Sequence, residues 1–221
     1  MSRVPGPVGV AFGLALALVI LLAGPLLLFN PGVVSTLQTR HDVAASFGTS
    51  EDEIDRVTGE MLGDLFSGGT FEAALEGDAP LLNERERSHM GDVSRLVRLL
   101  AAIVVAALLV VVATGFALRR ESGRQGRIMV AIAGAIGAAA VILAVAFAVA
   151  FDAMFLAFHE IFFPPGTYLF EPGSRLIQLF PGGFWFDASL AAGGAVILTA
   201  LVVGLVGFAR WRAGSRTTAR P

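Results

Sequence analysis

Four long apolar stretches, at about 8–29, 96–118, 128–151 and 188–208, constrain this chain more than any other feature. Each has about 20 residues or more, and a helix of that length rises about 30 Å, the thickness of a bilayer's hydrocarbon core. Within lipid every backbone N–H and C=O must be satisfied inside the segment, which for runs of this length means α-helix. The composition agrees: 55% of residues are hydrophobic and 15% charged, too few polar side chains to coat a soluble globule. The expected fold is an all-α integral membrane protein with four transmembrane helices, the whole of 1–221 forming one membrane domain. The first stretch reads as an uncleaved helix. It is longer than the apolar core of a signal peptide, and no small-x-small site follows Pro25.

Arginine sets the orientation, since short cytoplasmic connections carry the excess of positive charge. All 16 basic residues are Arg. Link 119–127 holds Arg119, Arg120, Arg124 and Arg127; tail 209–221 holds Arg210, Arg212, Arg216 and Arg220; Arg3 lies near the start. These regions are expected in the cytoplasm, with both termini inside. The connections 30–92 and 152–187 are then extracytoplasmic and form a small cap, the first containing 13 of the 18 acids. Within it, Ser50-Glu51-Asp52-Glu53 is a capping-box pattern ahead of Ile54, Val57, Met61, Leu62 and Leu65, which share one helical face. That amphipathic helix should lie on the bilayer or against the other helices. The chain has no Cys, which removes disulfides, a thiolate nucleophile and thiolate metal ligands.

All three histidines fall on the outer side, and two lie close to a span. Asn83 can cap a helix, with Glu86 as its third-position partner, that runs unbroken into the second span. His89 then stands seven residues before residue 96, about 10 Å above the apolar segment. Asp92, three residues on, shares its face and is a candidate to orient its ring. The second histidine closes the segment Phe151-Asp152-Ala153-Met154-Phe155-Leu156-Ala157-Phe158-His159, which continues the third span. The Pro164-Pro165 pair ends the helix near Phe163. His159 is eight residues beyond Phe151, so spacing places both imidazoles at similar depth, where they are expected to converge as an acid–base pair. Asp152, seven residues before His159, shares its face, and an acid at a membrane boundary is suspect of a role. Two independent interfacial histidines are the plain alternative. The alternating Glu and Arg of 84–87 read as a solvated helical collar, and His41 as solvated in the acidic loop.

The rest of the second outer loop is aromatic and rich in turn residues, with Tyr168, Phe170, Phe180, Phe184, Trp185 and Phe186. A belt at the interface explains Tyr and Trp there. A loop so apolar should also fold back as a lid, one wall of a pocket open to lipid. There is no Gly-x-Ser-x-Gly elbow, P-loop or dinucleotide fingerprint. His159-Glu160 opens like a zinc-protease motif, but Phe163 stands in the second ligand position. A zinc site would have to draw His89, His159 and a carboxylate from separate segments. No metal, cofactor or nucleic-acid partner is expected.

Asn83-Glu84-Arg85 with His89-Met90-Gly91-Asp92-Val93, Phe158-His159-Glu160-Ile161-Phe162-Phe163, and Leu179-Phe180-Pro181 with Phe184-Trp185-Phe186 resemble a bacterial family, the lipoprotein intramolecular transacylases. The resemblance covers nearly the whole chain, and its histidine motifs are its specific part; Tyr168 stands where that family's pattern has Trp. It implies a multi-pass cell-membrane enzyme with its site on the extracytoplasmic face. It also implies a diacylglyceryl-modified lipoprotein drawn from the membrane as substrate. One acyl chain would move from the glycerol ester to the free N-terminal amine, with His89 and His159 as the family's two essential histidines; for that chemistry Arg175 and the Trp185 N–H are candidates to face the developing oxyanion. A metal-dependent membrane hydrolase, and a non-enzymatic four-helix scaffold or pH sensor, are the rival readings of the same residues.

Overall fold

The computed structural model describes residues 6–76 and 79–217, the last two by backbone only. Arg3 and Arg220, and the side chain of Arg216, lie outside the described residues. Among those described, every regular element is helical: α1 Pro7–Leu27, α2 Pro31–Arg40, α3 Val43–Phe47, α4 Glu51–Ser67, α5 Glu84–Ala117, α6 Ser122–Val149, α7 Phe151–Phe162, α8 Arg175–Leu179 and α9 Gly182–Thr217. Four of them, α1, α5, α6 and α9, are long and apolar enough to cross a membrane. Only 11–33% of their most apolar windows is buried within the protein. Leu109, Val112, Ile142 and Leu205 are each at least two-thirds exposed. In water such surface would aggregate; against acyl chains it is satisfied.

The described residues divide into two compact units. One comprises Met1–Leu26, Ala101–Ala144 and Ala192–Pro221, the other Leu27–Leu100 and Val145–Ala191. In the first, Phe12, Leu16 and Ile20 of α1 pack with Ala133 and Ala140 of α6 and Val196 and Ala200 of α9. Small residues set the closeness of α6 and α9. A Cβ on Gly126 would come within 2.4 Å of the Gly207 carbonyl oxygen and the Trp211 nitrogen, and one on Gly207 within 2.6 Å of the Met129 Cβ. Close backbone approach of this kind supplies the dispersion contact that holds helices together in lipid, where there is no hydrophobic drive. Further along the same face, Gly137 meets Ala200 and Gly193 meets Ala144.

The second unit contains the short helices. Asn30 caps α2 by accepting from Gly32 N–H, with Pro31 at the first helical position, a start that the sequence reading passed over. Ser50 caps α4 as its pattern predicts, accepting from Glu53 N–H at 3.2 Å. The predicted face of α4 is used: Ile54, Val57, Met61 and Leu65 are 0–2% exposed, so this face packs inside the unit. Buried Gln38 of α2 knits the unit together, donating to Thr58 Oγ1 and to the Leu179 carbonyl, each at 3.1 Å.

Two expectations need correction. His41 is not solvated: its Nε2 lies 3.0 Å from Asp187 Oδ2, and the ring packs against Gly183, where a Cβ would sit 2.6 Å from it. The third span and the His159 segment are also not one helix. The backbone leaves helical geometry at Ala150 (φ −135°, ψ 48°) and α7 begins anew at Phe151. No Pro or Gly marks this break. The Phe151 ring there lies against Phe147, Phe155 and Phe186, a cluster visible only in the fold. The new start also explains Asp152, an exposed acid in the first turn of α7, where the helix dipole favours a negative charge.

Candidate active site

Capping places the first histidine. Asn83 Oδ1 accepts from Glu86 N–H at 3.0 Å and Glu86 Oε2 accepts from Asn83 N–H at 2.8 Å, the reciprocal box its sequence predicts. From that start α5 runs unbroken for 34 residues, and His89 falls in its second turn, 6% exposed. His159 lies in the last turn of α7, just before Phe163 ends the helix and Pro164-Pro165 follow.

The two imidazoles converge. Their ring centroids are 6.1 Å apart with 24° between the planes. Phe163 flanks both, 4.9 Å from His89 and 5.4 Å from His159. Phe170 meets His89 edge-on at 5.5 Å; Tyr168 covers His159 at 5.2 Å, and Phe155 approaches it at 4.4 Å. The pair therefore sits in an aromatic enclosure built by α7 and the segment that follows it.

Hydrogen bonding distinguishes the two rings. His159 Nδ1 is 2.7 Å from the Phe155 carbonyl oxygen. A carbonyl only accepts, so Nδ1 carries the hydrogen, and the neutral ring presents the lone pair on Nε2. His89 Nδ1 is buried and has no hydrogen-bond partner. An orphaned polar atom of this kind in an otherwise apolar enclosure is what a site that meets a polar substrate would show.

The other sequence candidates are placed elsewhere. Asp92 bonds Arg95, three residues on, and leaves His89 Nδ1 unserved. Arg175, first residue of α8, bonds Gln178 Oε1 at 2.9 Å and lies over the Phe47 ring at 5.1 Å. Trp185 is one ring removed from the pair, 5.9 Å from Phe155. Ser88 is exposed and faces away from His89, as its position on the helix requires. A cleft of about 570 Å³ opens beside it, lined by Asn83, Glu84, Arg85, Ser88, Gly166 and Thr167; neither histidine lines it. Among the described residues no three His, Cys, Asp or Glu side chains converge into a ligand set for a metal ion.

The solvated-collar reading of 84–87 fails for Glu86 and is incomplete for Arg85, which is exposed but bonded. Glu86 is 1% exposed and its Oε1 accepts from Leu176 N–H at 3.0 Å. Arg85 donates to the Gly166 and Leu169 carbonyls at 2.9 and 2.8 Å. Glu86 was legible as a capping-box member, but its second oxygen finds a partner 90 residues away, which local pattern does not encode.

Four membrane-spanning helices and an aromatic enclosure around two imidazoles define an all-helical, multi-pass membrane protein with a paired-histidine site. The chain belongs to the lipoprotein intramolecular transacylase Lit family, whose model matches residues 10–185. Solved structures of the membrane integral lipoprotein intramolecular transacylase Lit from Bacillus cereus share its fold. One superposes with a TM-score of 0.78 at 16% identity, covering 96% of this chain and 95% of that one. A histidine-to-arginine mutant of the same protein gives 0.74 at 14%, covering 96% and 92%. A histidine-to-alanine mutant gives 0.71 at 16%, covering 96% and 93%. No curated protein matches the sequence.

Proposed function

We propose that this chain transfers an acyl chain within a diacylglyceryl-modified lipoprotein, from the glycerol ester to the free N-terminal amine, with His89 and His159 as acid and base. The observation that carries this is the stacked histidine pair, in which one ring has its tautomer fixed and the other has a buried, unpartnered nitrogen. His159 Nε2 takes a proton as the amine attacks the ester carbonyl carbon. The tetrahedral intermediate collapses by breaking the bond between that carbon and the glycerol oxygen. The same proton, delivered by His159 or through His89, is returned to the departing oxygen. An amide forms, an ester is lost, a hydroxyl appears on glycerol, and no water or co-reactant is consumed.

Nucleophile and ester belong to one substrate, so the protein needs no nucleophile of its own. Alignment of the two within an enclosed site is worth up to about 7–11 kcal/mol in ideal cases. The aromatic rings keep water from competing for the ester. The Phe155 carbonyl orients His159, whereas Asp92, expected to orient His89, is engaged by Arg95. Of the oxyanion candidates, Trp185 is the one that keeps to the histidines' aromatic cluster. Arginine placement supports a site on the extracytoplasmic face, where lipoproteins would arrive laterally from the membrane.

Mass spectrometry of lipoprotein N-termini tests this in a bacterial host that lacks such an enzyme of its own. The full chain should convert the diacylglyceryl form into an N-acylated lyso form. His89→Ala or His159→Ala should leave the diacylglyceryl form, a loss of about 10²-fold or more if each supplies general acid–base catalysis. Unaltered diacylglyceryl lipoprotein beside abundant wild-type protein refutes the assignment.

A further inference from the structure

Arg85 and Glu86 take no part in the proton transfers above, yet Arg85 bonds the segment that covers both imidazoles and Glu86 bonds the helix into which that segment runs. Segment 164–174 leaves α7 at the Pro164-Pro165 pair and turns at Gly166, whose φ of +80° suits a residue without a Cβ. It then carries Tyr168 onto His159 and Phe170 onto His89. It contains no helix or strand, and its own backbone bonds are two turns at its ends, from Thr167 N–H to the Pro164 carbonyl and from Ser174 N–H to the Glu171 carbonyl. Its carbonyls at Gly166 and Leu169 both accept from Arg85 Nη2, bracketing Tyr168, and the same guanidinium lies 5.6 Å from the centre of the Phe170 ring. Where the segment enters α8, Leu176 N–H donates to the buried Glu86 carboxylate.

We propose that Arg85, backed by Glu86, is a positioning residue: it straps segment 164–174 across the site and so sets where Tyr168 and Phe170 hold the two imidazoles. It acts through those rings and is not itself a catalytic residue. The geometry suits a guanidinium. One nitrogen serves two carbonyls while the planar cation faces an aromatic ring; a lysine ammonium could bond the carbonyls but has no plane to lay against the ring. The proposal adds a named device to the acyl-transfer reading and rests on it only for the activity arm of its test.

The full chain, labelled with ¹³C at histidine Cε1 and held in lipid nanodiscs, gives one resonance for each of its three histidines. In Arg85→Gln the resonances of His89 and His159 should both move as the ring currents of Tyr168 and Phe170 are lost. His41, held by Asp187, should stay in place and report an intact unit. Arg85→Lys should move the same two resonances by less. Lipoprotein conversion by Arg85→Gln should fall by about a hundredfold, the cost of displacing reacting groups by about 1 Å. If all three resonances stay put in Arg85→Gln, the strap does not position the rings and the proposal fails. It fails equally if His41 moves with the other two in both variants, which would make Arg85 a general stabiliser. A wild type that converts no lipoprotein refutes the function but leaves the resonance arm decisive.

Discussion

Replacing Glu86 by Gln isolates one buried carboxylate. Glu86 is 1% exposed, and each oxygen accepts one backbone N–H, from Asn83 and from Leu176. A carboxamide has one oxygen and one amino group, so it can serve only one of those donors and points a second donor at the other. Orphaning a buried N–H costs about 1–3 kcal/mol. Removing a negative charge from the first turn of a helix costs about 0.3–1 kcal/mol besides. Glu84→Gln removes the same charge on the same turn from an exposed side chain and therefore serves as the control. Glu86→Gln should lie about 1–3 kcal/mol below Glu84→Gln in unfolding free energy, and Glu86→Ala, which orphans both donors, about 2–6 kcal/mol below it. Reversible unfolding in mixed micelles, titrated with a denaturing detergent, measures the differences. Equal stability of Glu86→Gln and Glu84→Gln would show that the carboxylate is not holding two backbone groups, and the account of how α8 is tied to α5 would be wrong.

Gly126→Ala should destabilise the α6–α9 contact by about 1–3 kcal/mol, because its Cβ meets backbone that cannot rotate away. Gly134→Ala, with open space at its Cβ, should be neutral or gain up to about 1 kcal/mol from helix propensity; the same titration compares them. Gly183→Ala should drive the His41 ring off Asp187, so a double-mutant cycle with His41→Ala should be strongly non-additive, each change alone costing about 0.5–1.5 kcal/mol. The chain has no cysteine, so introduced ones report topology cleanly. Ser88→Cys in whole cells should react with an impermeant maleimide and Arg120→Cys only after permeabilisation; the opposite pattern would overturn the orientation.

Local rules made much of this protein legible before any coordinates. Apolar runs longer than 20 residues have no stable alternative to helix in lipid. The boxes at Ser50 and Asn83 satisfy N–H groups within three residues of their caps, and the periodic face of α4 needed burial whatever covered it. His89 was placed by counting seven residues back from the second span, and His159 by counting eight residues on from Phe151. Partners distant in sequence were not legible. Asp92 shares a helical face with His89, yet it bonds Arg95, while a backbone carbonyl, which sequence does not display, orients His159. Glu86 and Arg85 look like a surface collar because alternating charge usually is one. They are claimed instead by backbone groups 81–90 residues away. The break at Ala150 left no Pro or Gly to read, since it accompanies an aromatic cluster that exists only once the chain is folded. Sequence alone determined the four long helices and the caps at Ser50 and Asn83, because those follow from period, rise and solvent. Tertiary structure alone decided which polar atoms face the imidazoles and which rings enclose them, because a hydrogen bond or an aromatic contact depends on distances between segments that composition leaves free.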